Sequence, residues 1–330
     1  MKQAAPNPAF ALAIDPTRTP PGLERAVYAI GNFDGVHRGH GAVIARTRAM
    51  AEARGVASAT LSFEPHPADY FAGRSVVFRL TPFPIKARAL RAQGLDGAVF
   101  LTFDAALAEL TAEEFVERIL VERLNVGAVV VGWNFHFGKS RSGSPDFLVR
   151  AGARFGFDVD IVAKVEADEA GRAGIVSSSA IRQALEQGDV EAAARALGRP
   201  YAVQGVVSAG QKLGRQLGVP TANMALEANN RLAFGVYAVR ALIAGKTYGG
   251  VASYGVRPTV DNGAPLLETH VFDFDGDLYG QEIEVEFVAR IREELKFASL
   301  DALKAEIARD IERARALLAA QTFGDSPQII

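Results

Sequence analysis

Two histidines in a glycine-rich segment are the residues best suited to do chemistry. Residues 31–40 read Gly-Asn-Phe-Asp-Gly-Val-His-Arg-Gly-His and follow an apolar run, 26–30, that is typical of a buried parallel strand. The apolar pattern after residue 40 predicts a helix, so His37 and His40 lie near its first turn and on one face. Glycine lets the backbone approach a ligand closely, and the N–H groups and dipole at a helix start favour an anion such as phosphate.

Two other interpretations of this segment stay open. Histidines at positions i and i+3 can chelate zinc, although the chain has no cysteine and no third ligand stands nearby in the sequence. The segment can also be a structural turn with two solvated histidines. The ten-residue string is much more specific than a bare GxGxxG pattern, so we favour phosphate binding.

Length and composition limit the function classes. A chain of 330 residues exceeds the size at which a single core stops growing, so we expect two domains. A net charge of −2 provides no general basic field for nucleic acid and no polybasic patch for a membrane. The absence of cysteine suits a reducing cytoplasm, and the apolar run at 10–14 is too short for a signal segment or a membrane span. We therefore expect a cytoplasmic protein that binds neither nucleic acid nor membrane, with self-association left open.

The first half of the chain alternates strand-like and helical patterns, which indicates parallel βαβ units and an α/β fold. Thr111–Glu114 forms a capping-box signal, and an apolar stripe continues that helix to Leu124. A further helix, 179–187, and a short one, 190–197, lead to a linker. The predicted strands are 27–30, 57–63, 97–101, 128–131 and 158–162.

The pattern changes after residue 200, where valine, tyrosine and glycine dominate and apolar residues alternate with polar ones. Short alternating strands separated by turn signals predict a small antiparallel barrel or sandwich. A helix from Leu300 to Ala319 closes the pattern, with Ser299 as its N-cap and an apolar stripe that begins at Leu300. The predicted strands are 201–207, 235–243, 267–274 and 283–291.

Two further segments complete a candidate site in the first half. The loop 132–143 follows a predicted strand, and ligands of open α/β sheets bind beyond the carboxyl ends of strands. Its aromatic, amide and cationic side chains, Asn134 among them, suit a planar ring with an anionic tail. Farther along, Ser177 and Ser178 precede Arg182, a first-turn cation that opposes the helix dipole unless an anion binds there. Taken alone, the loop can be a basic surface loop and the serines a helix cap.

The three segments together describe a site for a polyphosphate whose α-phosphorus is attacked while pyrophosphate leaves. The pattern Gly-x-Phe-Asp-x-x-His-x-Gly-His with a distal Ser-Ser-x-x-Ile-Arg resembles the nucleotidyltransferase superfamily related to class I tRNA synthetases. The fuller string 30–40, with Phe63–Pro67, is similar to the adenylyltransferase half of bacterial bifunctional riboflavin kinase/FAD synthetases. This resemblance implies a Rossmann-like domain with a parallel sheet over 1–186. The site residues that it implies are phosphate-binding Gly31, Phe33, Asp34, Ser177 and Ser178, catalytic His37, His40 and Arg182, and flavin-side Asn134.

The second half carries a different phosphate signal. Residues 210–223 combine three glycines with Lys212 and Arg215 ahead of Pro-Thr-Ala-Asn. Exposed N–H groups and cations suit phosphates, and threonine and asparagine oxygens suit magnesium. A flexible basic hairpin is the alternative. Downstream, Glu268 and His270 share one face of an alternating segment, and a carboxylate so placed can accept a hydroxyl proton during phosphoryl transfer.

Five motifs resemble the riboflavin kinase module in order and spacing, so the resemblance covers nearly the whole chain. They are Gly214–Asn223, Gly255–Thr259, Leu267–His270, Phe274–Gly280 and Ile291–Phe297. The resemblance implies a six-stranded antiparallel barrel with a terminal helix over 201–322, a linker helix region over 187–200 and a frayed tail over 323–330. The site residues that it implies are phosphate-binding Gly210, Lys212, Gly214 and Arg215, magnesium-binding Thr221 and Asn223, the base Glu268, and Arg292 near the flavin.

Two departures from the family pattern affect details of these sites. Asn134 stands where many relatives carry aspartate, and Ser253-Tyr254 stands where Asn-Ile is usual. Neither departure removes a reacting group.

The sequence therefore predicts a two-step flavin enzyme with ATP as co-substrate and Mg²⁺ as cofactor. Riboflavin and ATP give FMN and ADP in the barrel, and FMN and a second ATP then give FAD and pyrophosphate in the α/β domain. A nucleotidyltransferase for another acceptor, such as phosphopantetheine, would leave the second half unexplained. A flavin-sensing module without catalysis is disfavoured because the reacting side chains of both sites are present.

Overall fold

The computed structural model describes residues 10–163, 176–208, 218–256 and 265–320. The chain divides into two compact units, and each contains one six-stranded sheet. The first unit runs to Val77 and resumes over Phe83–Val176, whereas the second takes Phe78–Pro82 and the chain from Ser177 onward. The domain boundaries that the sequence predicts near residues 186 and 200 would separate the two catalytic modules. They stay a prediction.

The strands of the first unit are β1 (Ala11–Ile14), β2 (Val27–Ile30), β3 (Ser58–Glu64), β4 (Gly97–Thr102), β5 (Ala128–Gly132) and β6 (Asp158–Val162). They form a parallel sheet in the order β1-β4-β3-β2-β5-β6. The predicted α/β class is confirmed, and so are the five predicted strands. Strand β1 was not predicted, because a four-residue run at the sheet edge, with Leu12 and Ile14 exposed, gives little strand signal.

Helices pack against both faces of this sheet. They are α1 (Arg38–Arg54), α2 (Pro67–Ala72), α3 (Phe83–Ala92), α4 (Ala105–Ala108), α5 (Ala112–Glu114), a π-helix (Phe115–Arg123), a 3-10 turn (Lys139–Arg141) and α6 (Pro145–Phe155). Successive residues of β2 enter two different cores, with Tyr28 in one and Ala29 in the other. The predicted capping box at Thr111 is present. The helix after it is a π-helix, a wider turn that the apolar stripe does not distinguish from an α-helix.

The strands of the second unit are β7 (Tyr201–Val206), β8 (Ala222–Ala225), β9 (Gly235–Ile243), β10 (Lys246–Val256), β11 (Pro265–Val271) and β12 (Glu282–Arg292). They form an antiparallel sheet in the order β7-β12-β9-β10-β11-β8. The sheet curls until its two edges meet, since Ser208 after β7 donates its N–H to the carbonyl of Asn223 in β8 at 2.8 Å. The predicted six-stranded antiparallel barrel is confirmed, although β8 and β10 were not predicted as strands.

The helices of the second unit are α7 (Ser178–Gln187), α8 (Val190–Leu197) and α9 (Leu300–Ala320). Ser299 caps α9 as predicted, because its Oγ accepts the N–H of Ala302 at 3.1 Å. Helix α9 packs on the outer face of the barrel, where Ala314 is fully buried beside Val236 and Phe272. The predicted apolar stripe is wrong at Leu300, which is 52% exposed, because α9 buries its middle and not its first turn. Within the described ranges, no helix has both the length and the apolar composition to cross a membrane.

Candidate active sites

The two histidines of the first unit lie where the sequence predicts them, at the start of a helix. His37 is the N-cap of α1, and its Nδ1 accepts the N–H of His40 at 3.2 Å. A neutral His37 ring therefore carries its proton on Nε2. The two imidazoles stack with ring centroids 3.8 Å apart and planes 13° apart, and Phe33 meets His40 edge-on at 5.2 Å. The histidine pair is thus one rigid unit at the positive end of a 17-residue helix.

The backbone ahead of these histidines is strained. Phe33 has φ 47° and Val36 has φ 40°, in the left-handed region that β-branched and aromatic residues rarely adopt. Both side chains are buried, and so is Asp34. Each such residue costs about 1–3 kcal/mol and persists only where its surroundings hold it, which is common at functional sites. At Gly39, a Cβ would lie 2.8 Å from the Val176 carbonyl oxygen, so only glycine fits there.

Contacts at the start of this loop hold the carbonyl group of Asn32. Its oxygen accepts the hydroxyl of Ser62 at 3.1 Å and the ammonium of Lys86 at 3.0 Å. Lys86 is 1% exposed and also pairs with Glu64 at 2.5 Å. Sequence reasoning missed Lys86, because lysine on a helix is usually solvated and nothing in its neighbours shows that it points inward.

Asn134 lies in an exposed loop after β5, at the carboxyl edge of the sheet. Its backbone carbonyl accepts a hydrogen bond from His136 Nδ1 at 3.0 Å, and Phe135 stacks on Phe137 with ring centroids 5.5 Å apart. Lys139, which the sequence offered as a cation for an anionic tail, is paired with Glu109, and this pairing raises the pKa of Lys139. Arg141 of the same loop is exposed, so the loop presents a cationic side chain together with aromatic and amide groups.

The serines and the arginine of the third predicted segment lie in the second unit. Ser177 is the N-cap of α7, and its Oγ accepts the N–H of Ala180 at 3.2 Å. Ser178 opens the helix, and Arg182 donates its Nε–H to the carbonyl of Phe78 at 2.8 Å. The capping alternative is therefore confirmed for Ser177. A joint site of these residues with the histidines stays a prediction.

A row of polar side chains crosses three neighbouring strands of the barrel. Glu268 in β11 is paired in register with Asn223 in β8 on one side and with Ser253 in β10 on the other. Paired residues of antiparallel strands point to the same face, so the three side chains are neighbours. Leu267 and Thr269 are buried on the opposite face, as the alternation predicts. The position of Ser253 beside the predicted base follows from strand pairing and could not be predicted from the sequence.

Asn223 has a buried side-chain oxygen without a hydrogen-bond partner among the described residues. The residue is 4% exposed, and its Oδ1 makes no hydrogen bond within the part of the chain that the structure describes. Its backbone is fixed, since both the N–H and the hydroxyl of Ser208 donate to its carbonyl. The segment before it is also held, because His270 Nδ1 donates to the carbonyl of Pro220 at 2.8 Å, next to half-buried Thr221. A buried amide oxygen held in this way needs a donor or a cation.

Arg292 is engaged in an ion pair within the protein. Its Nε and Nη2 donate to the carboxylate of Asp310 in α9 at 2.6–3.1 Å, and its Nη1 donates to the carbonyl of Glu293 at 2.8 Å. Both side chains are nearly buried. Next to this pair, a Cβ at Gly255 would lie 1.8 Å from Glu294 Oε1, so the carboxylate of Glu294 rests on the glycine backbone.

Some predicted site residues lie outside the described residues. They are Gly210, Lys212, Gly214 and Arg215. Gly31 directly follows β2, and a Cβ there would meet the Phe33 ring only at 3.4 Å, so space does not require glycine. Among the described residues, no cluster of three or more His, Cys, Asp or Glu side chains could hold a metal.

Comparisons with known proteins match the two halves of the chain in succession. The family model for FAD synthetase matches residues 19–179, and the model for riboflavin kinase matches residues 197–318. A bifunctional riboflavin kinase/FMN adenylyltransferase from Pseudomonas fluorescens is 46% identical over 295 residues, covering 89% of this chain and 93% of the relative. The protein of the same name from Haemophilus influenzae is 41% identical, with 89% and 94% covered. A solved structure described as a macrolide-efflux protein from Streptococcus pneumoniae has a TM-score of 0.78 and 29% identity, covering 93% of this chain and 99% of that one.

The two matched regions follow each other without overlap, in the order of the two units of the fold. The relatives are matched over more than nine-tenths of their length, so the likeness extends to the whole enzyme and not to one module. This chain belongs to the family of bifunctional riboflavin kinase/FMN adenylyltransferases, which convert riboflavin to FMN and FMN to FAD.

Proposed function

We propose that the two reactions take place at two separate sites on this chain, each with its own ATP. FMN is adenylylated at the histidine pair of the first unit, and riboflavin is phosphorylated at the polar row of the barrel. The observation that carries this division is that each unit has one group of polar residues held in place, His37 with His40 in the first and Asn223 with Glu268 in the second.

In the adenylylation step, the stacked imidazoles bind the ATP phosphates. The Nδ1 of His37 is occupied by the N–H of His40, so Nε2–H is the donor that His37 offers to an oxyanion. The amino end of α1 adds its dipole, which favours the charge that grows as pyrophosphate leaves. Asn134 in its exposed aromatic loop faces the flavin, while Gly31, Phe33 and Asp34 shape the phosphate loop. The contact of Ser178 and Arg182 with the pyrophosphate remains the prediction made from the sequence.

In the kinase step, Glu268 accepts the proton of the ribityl hydroxyl while that oxygen attacks the γ-phosphate. Asn223 and Thr221 would hold Mg²⁺. The fit of magnesium is supported by the buried Oδ1 of Asn223, which lacks a partner among the described residues and is the type of hard ligand this cation prefers. When bound, magnesium neutralises charge on the nucleotide phosphates.

Arg292 acts near the flavin through the segment that it anchors. Its Nε and Nη2 are taken by Asp310 and its Nη1 by the carbonyl of Glu293. We therefore assign it the task of fixing residues 293–297, which precede α9. Gly210, Lys212, Gly214 and Arg215 complete the phosphate contacts of the barrel.

The partners of both steps are small molecules, riboflavin, FMN and ATP, with neither nucleic acid nor membrane involved. We place the reactions in the cytoplasm, which suits a chain without cysteine. Light scattering on the purified chain would test whether it self-associates.

The test is to incubate the full chain with riboflavin, ATP and Mg²⁺ and to follow FMN and FAD by chromatography. Glu268→Gln should abolish FMN formation while FAD synthesis from supplied FMN continues. His40→Ala should do the reverse. Circular dichroism checks that each variant is folded. If either substitution abolishes both steps in a folded protein, the assignment of two sites is wrong.

A further inference from the structure

Lys86 is an unusual residue in the first unit, because it is a lysine with almost no contact with water. It lies in α3 with a 1% exposed side chain, between the buried residues Ile85 and Ala87. A buried ammonium is unfavourable unless it is paired and hydrogen-bonded. The sequence therefore retains a charge where an apolar side chain would fill the same space.

The partners of Lys86 come from two adjacent strands. Its Nζ donates to Glu64 Oε1 at 2.5 Å at the end of β3, and to the carbonyl oxygen of Asn32 at 3.0 Å just after β2. Ser62 donates to the same Asn32 oxygen at 3.1 Å. Two donors thus converge on one carbonyl group, and one of them is charged, which shortens and strengthens a hydrogen bond.

That carbonyl group precedes the strained part of the loop. Asn32 is followed at once by Phe33, with φ 47°, and the strain continues at Val36, directly before His37. Strained backbone persists only when its surroundings over-determine it. The Asn32 carbonyl lies between the end of β2 and the strained residues of the loop. Hydrogen bonds that fix the direction of this carbonyl therefore also fix the path of the loop toward the histidines.

We propose that Lys86 is a positioning residue for the adenylylation step. It holds the Asn32 carbonyl, and through it the loop that presents His37 and His40, without touching the nucleotide. This inference rests on the proposed assignment of FAD synthesis to the histidine pair. It predicts that loss of the ammonium impairs FAD formation and leaves FMN formation, which takes place at the barrel, unchanged.

The experiment removes the ammonium without leaving a buried charge. Lys86→Met alone would strand the carboxylate of Glu64, so the double variant Lys86→Met/Glu64→Gln is measured beside it. Lys304→Met, which changes an exposed lysine of α9, is the matched control. Each variant is assayed for FMN formation from riboflavin and for FAD formation from supplied FMN, with ATP varied in both.

We expect the double variant to form FAD with a kcat/KM for ATP at least 30-fold lower and a KM for ATP at least fivefold higher. Its FMN formation should stay within twofold of the unaltered chain. The rise in KM separates positioning from partial unfolding, because a smaller folded fraction lowers the apparent kcat and leaves KM unchanged.

The proposal is overturned if the folded double variant forms FAD within threefold of the unaltered chain, or if its KM for ATP does not change. It is also overturned if both activities fall together, since Lys86 would then support the whole fold. His40→Ala in the same assay distinguishes a wrong role for Lys86 from a wrong site assignment. Normal FAD formation by His40→Ala refutes the site assignment. Normal FAD formation by the Lys86→Met/Glu64→Gln variant refutes only the role of Lys86.

Discussion

Replacing Asp310 by alanine tests whether the ion pair between Arg292 and α9 holds the terminal helix on the barrel. The carboxylate of Asp310 accepts from Nε and Nη2 of Arg292, and the two side chains are 4% and 15% exposed. In Asp310→Ala, the guanidinium remains buried and loses this partner. Glu306 stays 3.8 Å from Arg292 Nε and compensates part of the charge.

The size of the effect follows from these contacts. Removing one partner of a buried ion pair costs about 3–5 kcal/mol, and the remaining carboxylate of Glu306 reduces this to roughly 2–4 kcal/mol. For a unit of about 150 residues, each kcal/mol lowers Tm by about 2–4 °C, so we expect a fall of roughly 4–16 °C. Arg292→Met/Asp310→Leu removes both charges and should recover most of the loss, because no buried charge is left unpaired.

The assay is calorimetry of the full chain, with the barrel transition identified by the loss of FMN formation on heating. The KM for riboflavin is measured at 20 °C, where Asp310→Ala should raise it because residues 293–297 are no longer fixed. The reasoning is refuted if Asp310→Ala lowers the free energy of unfolding by less than about 1 kcal/mol, or if the double variant is as unstable as the single one.

Three further predictions concern other positions. Gly39→Ala should reduce FAD formation at least tenfold and spare FMN formation, since the new Cβ would lie 3.0 Å from the His37 ring; equal losses in both assays would contradict this. Ser253→Asp places a second negative charge beside Glu268, where the nucleotide phosphates are proposed to bind, and should lower FMN formation by repulsion, whereas the neutral control Ser253→Asn should not. Burial raises the pKa of Glu286 in the folded protein. The folded state therefore keeps the proton of Glu286 at pH values at which the unfolded chain has lost it, and the protein loses stability as the pH rises through the folded pKa. Glu286→Gln should therefore raise Tm at pH 7 and lose this gain below pH 4.5, which thermal melts across the pH range would show.

The position of the histidine pair could be predicted because local signals agree. A fully apolar strand, closely spaced glycines and a helical apolar pattern place His37 and His40 at the start of α1 without any tertiary information. The strand face that carries Glu268 could be predicted in the same way, because the alternation alone places Leu267 in the core and Glu268 on the opposite face.

Other features depend on contacts between distant parts of the chain. The buried ammonium of Lys86 is hydrogen-bonded to Glu64 in β3 and to the Asn32 carbonyl after β2, and both are distant from it in the sequence. Strand β10 contains Gly249, Gly250 and Gly255, which weaken its strand signal although its neighbours on both sides pair with it.

Arg292 shows a further limit of sequence reasoning. A cationic residue in a family motif suggests ligand contact, yet its partner Asp310 lies 18 positions later on a helix. The spacing contains no signal for this pair, because β12 and α9 are brought together only by the packing of the helix on the barrel.

The contact between Ser208 and Asn223 has a consequence for how the barrel responds to its ligands. The backbone of Asn223 closes the seam between β7 and β8, the two edge strands of the sheet. Its side chain carries an oxygen that lacks a hydrogen-bond partner among the described residues. A cation or nucleotide taken up by that oxygen stabilises the closed seam by the same free energy with which closure favours uptake. Slower amide exchange at Ser208 should therefore accompany ligand binding at the proposed kinase site that contains Asn223.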